Sequence, residues 1–267
     1  MGFEARFFKV GDASVFTSIH GLGTPMVLLH GNPDSGDMWD PVVDRLAGRF
    51  RCIRPDLPGL GRSMVPPDFD YSLSGMAAHL EGLCRALELH QPVHLVVHDF
   101  GGPFGLAWAA AHPERIRTIT CLNTVFFADY DWHFWARVWR TPVMGEVAMA
   151  VWNRPLIFWQ MRRGSAKVPD HHVRFMYIGV SRDMRKNVLR LYRESDPAKF
   201  ESWERRYLEV AARKPVQVIW GERDPYIPAR FAHRLGAREV RLYPEYGHWI
   251  SVEAPDIVAR HILEFCG

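Results

Sequence analysis

The chain has 267 residues, 48% of them hydrophobic and 24% charged, which is enough for one large domain with a substantial buried core. Lys and Arg number 33 against 30 Asp and Glu, and the small excess is spread along the chain without basic blocks, so the composition argues against a nucleic-acid partner. Met1 to Arg6 lacks a charged-then-apolar leader pattern and no apolar run is long enough to span a bilayer, so a cytoplasmic protein off the membrane is expected.

In chain order, Phe7–Val10 and Val15–His20, separated by Gly11 and Asp12, predict an opening hairpin. Strands are then predicted over Met26–Leu29, Arg51–Arg54, Val93–Val97, Ile116–Leu122, Val216–Trp220 and Glu239–Tyr243. Met26–Leu29 and Val93–Val97 are almost continuously apolar, which suits central strands covered on both faces. Helical patterns lie between the strands, and the last runs from Pro255 to Phe265. From Thr124 to about Arg213 the rhythm gives way to a helical stretch rich in Trp and Arg, with Pro at 142, 155, 169 and 197. The expected architecture is therefore α/β, a mostly parallel central sheet flanked by helices. Its core is split into residues 1–123 and 214–267, with a helical cap at 124–213 inserted between them. Cys52, Cys84, Cys121 and Cys266 are irregularly spaced, and free thiols are expected rather than disulfides.

The chemistry is concentrated where strands end. Val93–Val97 runs into His98, Asp99, Phe100, Gly101 and Gly102, followed by the small-residue helix Gly105–Ala111. A strained strand-to-helix corner with glycines behind it is a nucleophile elbow, and here Asp99 takes the position usually held by serine. A carboxylate is already ionised near neutral pH, needs no base to attack, and can displace a leaving group from saturated carbon. The resulting enzyme ester needs an activated water, for which His248, after the last strand, is the candidate base. Asp224, after the preceding strand, is placed to orient that imidazole, ahead of Glu245; Asn123 cannot act as an anion. In the turn His30-Gly31-Asn32-Pro33, a backbone N–H can pair with that of Phe100 as an oxyanion hole, and the Asn32 amide can donate to a leaving anion. His98 should point away from substrate and serve as support. Arg182–Lys186 reads as a solvated helix face.

These motifs resemble the haloalkane dehalogenase branch of the α/β-hydrolase superfamily, close to the epoxide hydrolases. The resemblance rests on His30-Gly31-Asn32-Pro33, the run Asp56 to Ser63, Val97 to Gly102, and Gly221 to Pro225, in that order. It implies a triad of Asp99, His248 and Asp224, and a halide held by Asn32 and a second N–H donor beside the nucleophile. That donor is commonly a Trp just after the nucleophile, but Phe100 keeps only the backbone N–H, and the resemblance offers a cap tryptophan as a substitute. Trp132, Trp135, Trp139, Trp152 and Trp159 are available. Epoxide hydrolases of this branch instead use two cap tyrosines, for which Tyr130, Tyr177, Tyr192 and Tyr207 are candidates, while Asn32 speaks against that reading. An ester or lactone hydrolase, a luciferase-like cofactor-independent oxygenase and a non-enzymatic receptor on the same scaffold complete the alternatives.

The expected substrate is a small apolar halogenated alkane or, second, an epoxide, with water as co-substrate and halide ion as product. Gly59-Leu60-Gly61 starts like a dinucleotide fingerprint but lacks its last glycine, and the histidines show no metal-ligand spacing, so neither a cofactor nor a metal is expected.

Overall fold

The computed structural model describes residues 2–267. Strands β1 (Phe3–Val10) and β2 (Ala13–His20) pair antiparallel over their whole length, and Gly11, at φ 57°, takes the left-handed position in the turn between them. The other strands are β3 (Thr24–Leu29), β4 (Phe50–Pro55), β5 (Val93–His98), β6 (Ile116–Leu122), β7 (Val216–Gly221) and β8 (Glu239–Tyr243). They form one eight-stranded sheet in the order β1-β2-β4-β3-β5-β6-β7-β8, parallel from β4 onward. Every residue of β5 and β7 is buried, as strands covered on both faces require. Polar residues on them are paired internally: His94 Nδ1 meets Thr118 Oγ1 at 2.8 Å, and Gln217 Nε2 donates to Thr120 Oγ1 at 3.0 Å.

Helices α1 (Asp40–Leu46), α2 (Leu73–Ala86) and α3 (Gly101–Ala111) follow β3, β4 and β5. Between β6 and β7 lie α4 (Phe134–Arg140), α5 (Met144–Ala150), α6 (Arg154–Gly164), α7 (Asp170–Gly179), α8 (Arg182–Glu194) and α9 (Glu201–Ala211), with no strand among the described residues of that interval. The chain closes with α10 (Ile250–Glu253) and α11 (Pro255–Cys266). Helix α1 packs on α11 and α2 on α3, giving the two helical layers that flank the sheet. No described helix is long and apolar enough to cross a membrane. The four cysteines are free.

The inserted helices are set by ordinary local rules. Ser181 Oγ caps α8 by accepting from Met184 N at 3.0 Å, and the helix buries Met184, Val188, Leu189, Leu191 and Tyr192 while Arg182, Asp183 and Lys186 stay in solvent. Asn153 Oδ1 caps α6 in the same way. The insertion is tied to the sheet domain by polar contacts. His172 on α7 meets Asp34, in the loop after β3, at 3.2 Å, with both side chains buried. Gly164, ending α6, accepts from His248 N at 2.9 Å, and Ser165 Oγ accepts from Trp249 N at 2.8 Å.

Candidate active site

Because the sheet is parallel from β4 onward, the C-terminal ends of β3, β5, β7 and β8 share one edge, and the loops that leave them carry Asn32, Asp99, Asp224 and His248. Asp99 sits between β5 and α3 at φ 49°, the left-handed conformation of a strained elbow. The corner is held from both sides. Thr124 Oγ1 donates to the Asp99 carbonyl at 2.7 Å, and a Cβ on Gly31 would lie 2.1 Å from Asp99 Oδ1, so only glycine lets the early turn approach this closely. That approach lets Asn32 N–H donate to Asp99 Oδ1 at 2.8 Å. The two carboxylate oxygens are thereby made inequivalent. Oδ1 occupies the backbone donor, and Oδ2 faces His248 Nε2 at 3.5 Å.

His248 Nδ1 lies 2.7 Å from Asp224 Oδ2, and both side chains are almost fully buried. Asp224 is itself fixed: Tyr226 N and Ile227 N donate to Oδ1, and Asn123 Nδ2 donates to Oδ2 at 2.8 Å. Asn123, at the end of β6, thus braces the carboxylate; Glu245 is exposed. His98 points away from the cavity, as expected. It is buried, and its Nε2 meets the His248 carbonyl at 2.9 Å, so it supports the loop that carries the imidazole.

Burial alone would drive His248 neutral, but Asp224 and Asp99 on its two sides outweigh it and push its pKa up to about 10. Burial likewise opposes the charge on Asp99; His248, together with His98 and the Phe100 N–H, overcomes it and holds the carboxyl down at about 2. At neutral pH the site is therefore an ion pair, with an ionised carboxylate beside an imidazolium. An ester at Asp99 would remove one of the two anions that hold the proton on His248, and the imidazole would then be easier to deprotonate.

Two cavities meet at Asp99, and both are also lined by His133, Tyr192 and Tyr226. The first extends past Asn32 and His248 toward Trp139 and Trp152. The second is bounded by Phe100, Tyr130 and Trp132. Asn32 Nδ2 donates to Tyr192 Oη at 3.4 Å. Tyr130 and Tyr226 donate their hydroxyls to the carbonyls of Tyr226 and Gln160, so of the tyrosines in these walls only Tyr192 keeps its proton uncommitted. Trp132 stacks on Phe100 with ring centroids 6.0 Å apart, and its buried indole N–H has no partner. Trp152 Nε1 is engaged by Gln160 Oε1, and Trp159 is half exposed. His133 caps α4 by accepting from Ala136 N through Nδ1, and burial lowers its pKa to about 4. It is therefore neutral, with its proton on Nε2 at the cavity wall. Tyr207 is buried elsewhere and donates to the Leu235 carbonyl.

Residues 24–150 match the family model for the alpha/beta hydrolase fold. The chain is 28% identical over 298 residues to a cis-3-alkyl-4-alkyloxetan-2-one decarboxylase of Shewanella oneidensis, covering 98% of this chain and 88% of that one. It is also 28% identical over 284 residues to haloalkane dehalogenase 2 of Mycobacterium bovis, covering 99% and 96%. The chain has the α/β-hydrolase fold, and its sequence likeness is to the haloalkane dehalogenase-like branch. The Cif epoxide hydrolase of Acinetobacter nosocomialis superimposes on this hydrolase with a TM-score of 0.85 over 100% of this chain and 90% of that one, at 19% identity, a likeness of fold.

Local motifs announced the strand-end residues of this α/β-hydrolase. They did not single out His133, Tyr192 or Gln160, nor choose Trp132 among the tryptophans. His133 had one usable signal, its place just before a helical run, where a side-chain acceptor caps the first turn.

Proposed function

We propose that this α/β-hydrolase is a haloalkane dehalogenase in which Asp99 is the nucleophile and the helical insertion is the cap over the site. Asp99 Oδ2 attacks the halogen-bearing carbon. A C–O bond forms, the carbon–halogen bond breaks, and the halide leaves with the electron pair. His248 first gives up its proton to solvent and then takes one from water, whose oxygen attacks Cγ of the ester, while Asn32 N–H and Phe100 N–H stabilise the charge on Oδ1. The Cγ–Oδ2 bond breaks, the alcohol leaves with a proton from His248, and the new Asp99 carboxyl passes its proton to His248, restoring the ion pair. The sum is haloalkane plus water giving alcohol, halide and a proton.

The observation that carries this reading is that each of the two cavities meeting at Asp99 has an N–H donor in its lining residues. The Asn32 amide in the first and the unpartnered Trp132 indole in the second suit an anion that departs without being protonated. Trp132 stacks on Phe100 and supplies the indole that position 100 lacks. Epoxide opening is less well served, since only Tyr192 has a free hydroxyl proton to give an alkoxide.

A second reading is favoured by relatives that match nearly the whole chain and are named oxetan-2-one decarboxylases. Attack by Asp99 on the ring carbon that bears the lactone oxygen would release a carboxylate, again an anion that needs no proton. Loss of CO2 would then expel Asp99 and leave an alkene, with no water consumed.

Intact-mass measurement of His248→Phe after exposure to 1-bromobutane separates the readings. An added butyl group that is absent in Asp99→Ala, together with bromide release by the unaltered enzyme, is expected. Bromide release with no trapped adduct would overturn the covalent scheme. An adduct formed only with styrene oxide, or alkene and CO2 formed from a dialkyl oxetan-2-one, would name the other reaction.

A further inference from the structure

The first cavity is lined largely by apolar side chains, among them Trp135, Trp139, Trp152, Ile157 and Met161, and besides Asn32 one further amide, that of Gln160, belongs to the lining. Gln160 is only 8% exposed. Its Oε1 accepts from Trp152 Nε1 at 2.8 Å, and because an indole nitrogen can only donate, this bond fixes which end of the amide is oxygen. The other end, Nε2, carries two N–H donors and has no partner among the protein atoms. The backbone of the same residue is held in place: its carbonyl accepts from Tyr226 Oη at 2.9 Å, and the Tyr226 ring packs edge-on against His248 with centroids 5.2 Å apart. The amide is thus a donor with a defined orientation, tied to the catalytic side of the cavity.

Leaving a buried N–H unpaired is costly, and a bound molecule recovers that cost if it brings an acceptor to that place. We propose that Gln160 is a specificity-determining residue that selects organic substrates bearing a hydrogen-bond acceptor, such as an ether oxygen or a nitrile nitrogen, in addition to the group that leaves. The preferred class is then functionalised haloalkanes rather than plain ones. This selection rests on the reading of the same cavity as the substrate site.

The test compares isosteric pairs. A cavity with no donor prefers the alkane, because an ether oxygen loses its water and gains nothing. Diethyl ether and pentane are titrated against Trp152→Phe and against Trp152→Phe combined with Gln160→Met, which removes both amide donors without freeing the Trp152 N–H that Gln160 otherwise accepts; fluorescence of the remaining tryptophans reports binding. The ratio of the two Kd values should shift toward the alkane by about tenfold in the double variant, the scale of one lost hydrogen bond. In parallel, KM for bis(2-chloroethyl) ether relative to 1,5-dichloropentane should shift in the same direction. Each ratio is taken within one protein, so partial misfolding of the variant does not imitate the effect. The same ratio in both proteins overturns the assignment. A shifted binding ratio without chloride release from any substrate leaves Gln160 as the selector and rejects the dehalogenase reading instead.

Discussion

At the scale of single residues, the proposed reaction turns on a second N–H donor for the halide. Trp132→Phe keeps the ring stacked on Phe100 and deletes only the indole N–H. A hydrogen bond to a charged group contributes roughly 1.5–3 kcal/mol, so halide affinity, read by halide quenching of fluorescence, should fall about tenfold or more. Unchanged affinity would remove Trp132 from the site. The difference between Asp99 and Trp132 also shows what a sequence exposes. Asp99 is announced by its neighbours, a β-strand before it and glycines after it, because the elbow is a local structure that those residues must build. His248 and Asp224 are announced by their place after successive strands. Trp132 is one of several tryptophans in a helical stretch, and what distinguishes it, a buried nitrogen with no partner, depends on Phe100 and Tyr192, packed against it from elsewhere in the chain. Gln160 was equally hidden, since its free amide end depends on the position of Trp152.

At the scale of elements, the strands were legible to within a few residues because continuous apolar runs and the residues that stop them are adjacent in sequence. Helix α3 starts at Gly101 rather than Gly105: the turn that follows Asp99 is already helical, and Gly101 is needed where a Cβ would meet the Leu29 carbonyl at 2.4 Å. The joint between α7 and the sheet domain was not legible, because Asp34 and His172 are far apart in the chain. Burial opposes both charges in this pair, yet each partner outweighs it, raising the pKa of His172 and lowering that of Asp34. A raised His contributes stability that is fully present below about 6.5 and lost as pH rises through its folded value; a lowered Asp contributes above about 3.9 and loses it as pH falls. The ionic part of the joint is thus strongest between those limits. His172→Gln should lower Tm more at pH 6 than at pH 9, and an equal drop at both would show that the contact is only a hydrogen bond.

For the molecule as a whole, stability should fall on the acid side earlier than carboxylate titration would bring about. Burial holds His79, His94, His98 and His133 down at about 4, with Arg117 adding to the effect on His94 and His248 adding to it on His98. A group whose folded pKa is lowered contributes stability above its unfolded value, about 6.5 for His, and loses it as pH falls through the folded value. Tm should therefore decline steadily from pH 6.5 to 4.5 in thermal melts; a level Tm across that range would show that these imidazoles take up protons in the folded state. The sheet and its order of motifs were readable from the chain, and the embrace between the inserted helices and the loop after β8 was not. That embrace has a consequence for timing. The loop that carries His248 is bonded through its own backbone to Gly164 and Ser165 at the end of α6. If α6 lifts to admit a substrate in the proposed reaction, those bonds must break and the imidazole loosens with them, so that door and trigger would be wired together: an open enzyme would be a disarmed one.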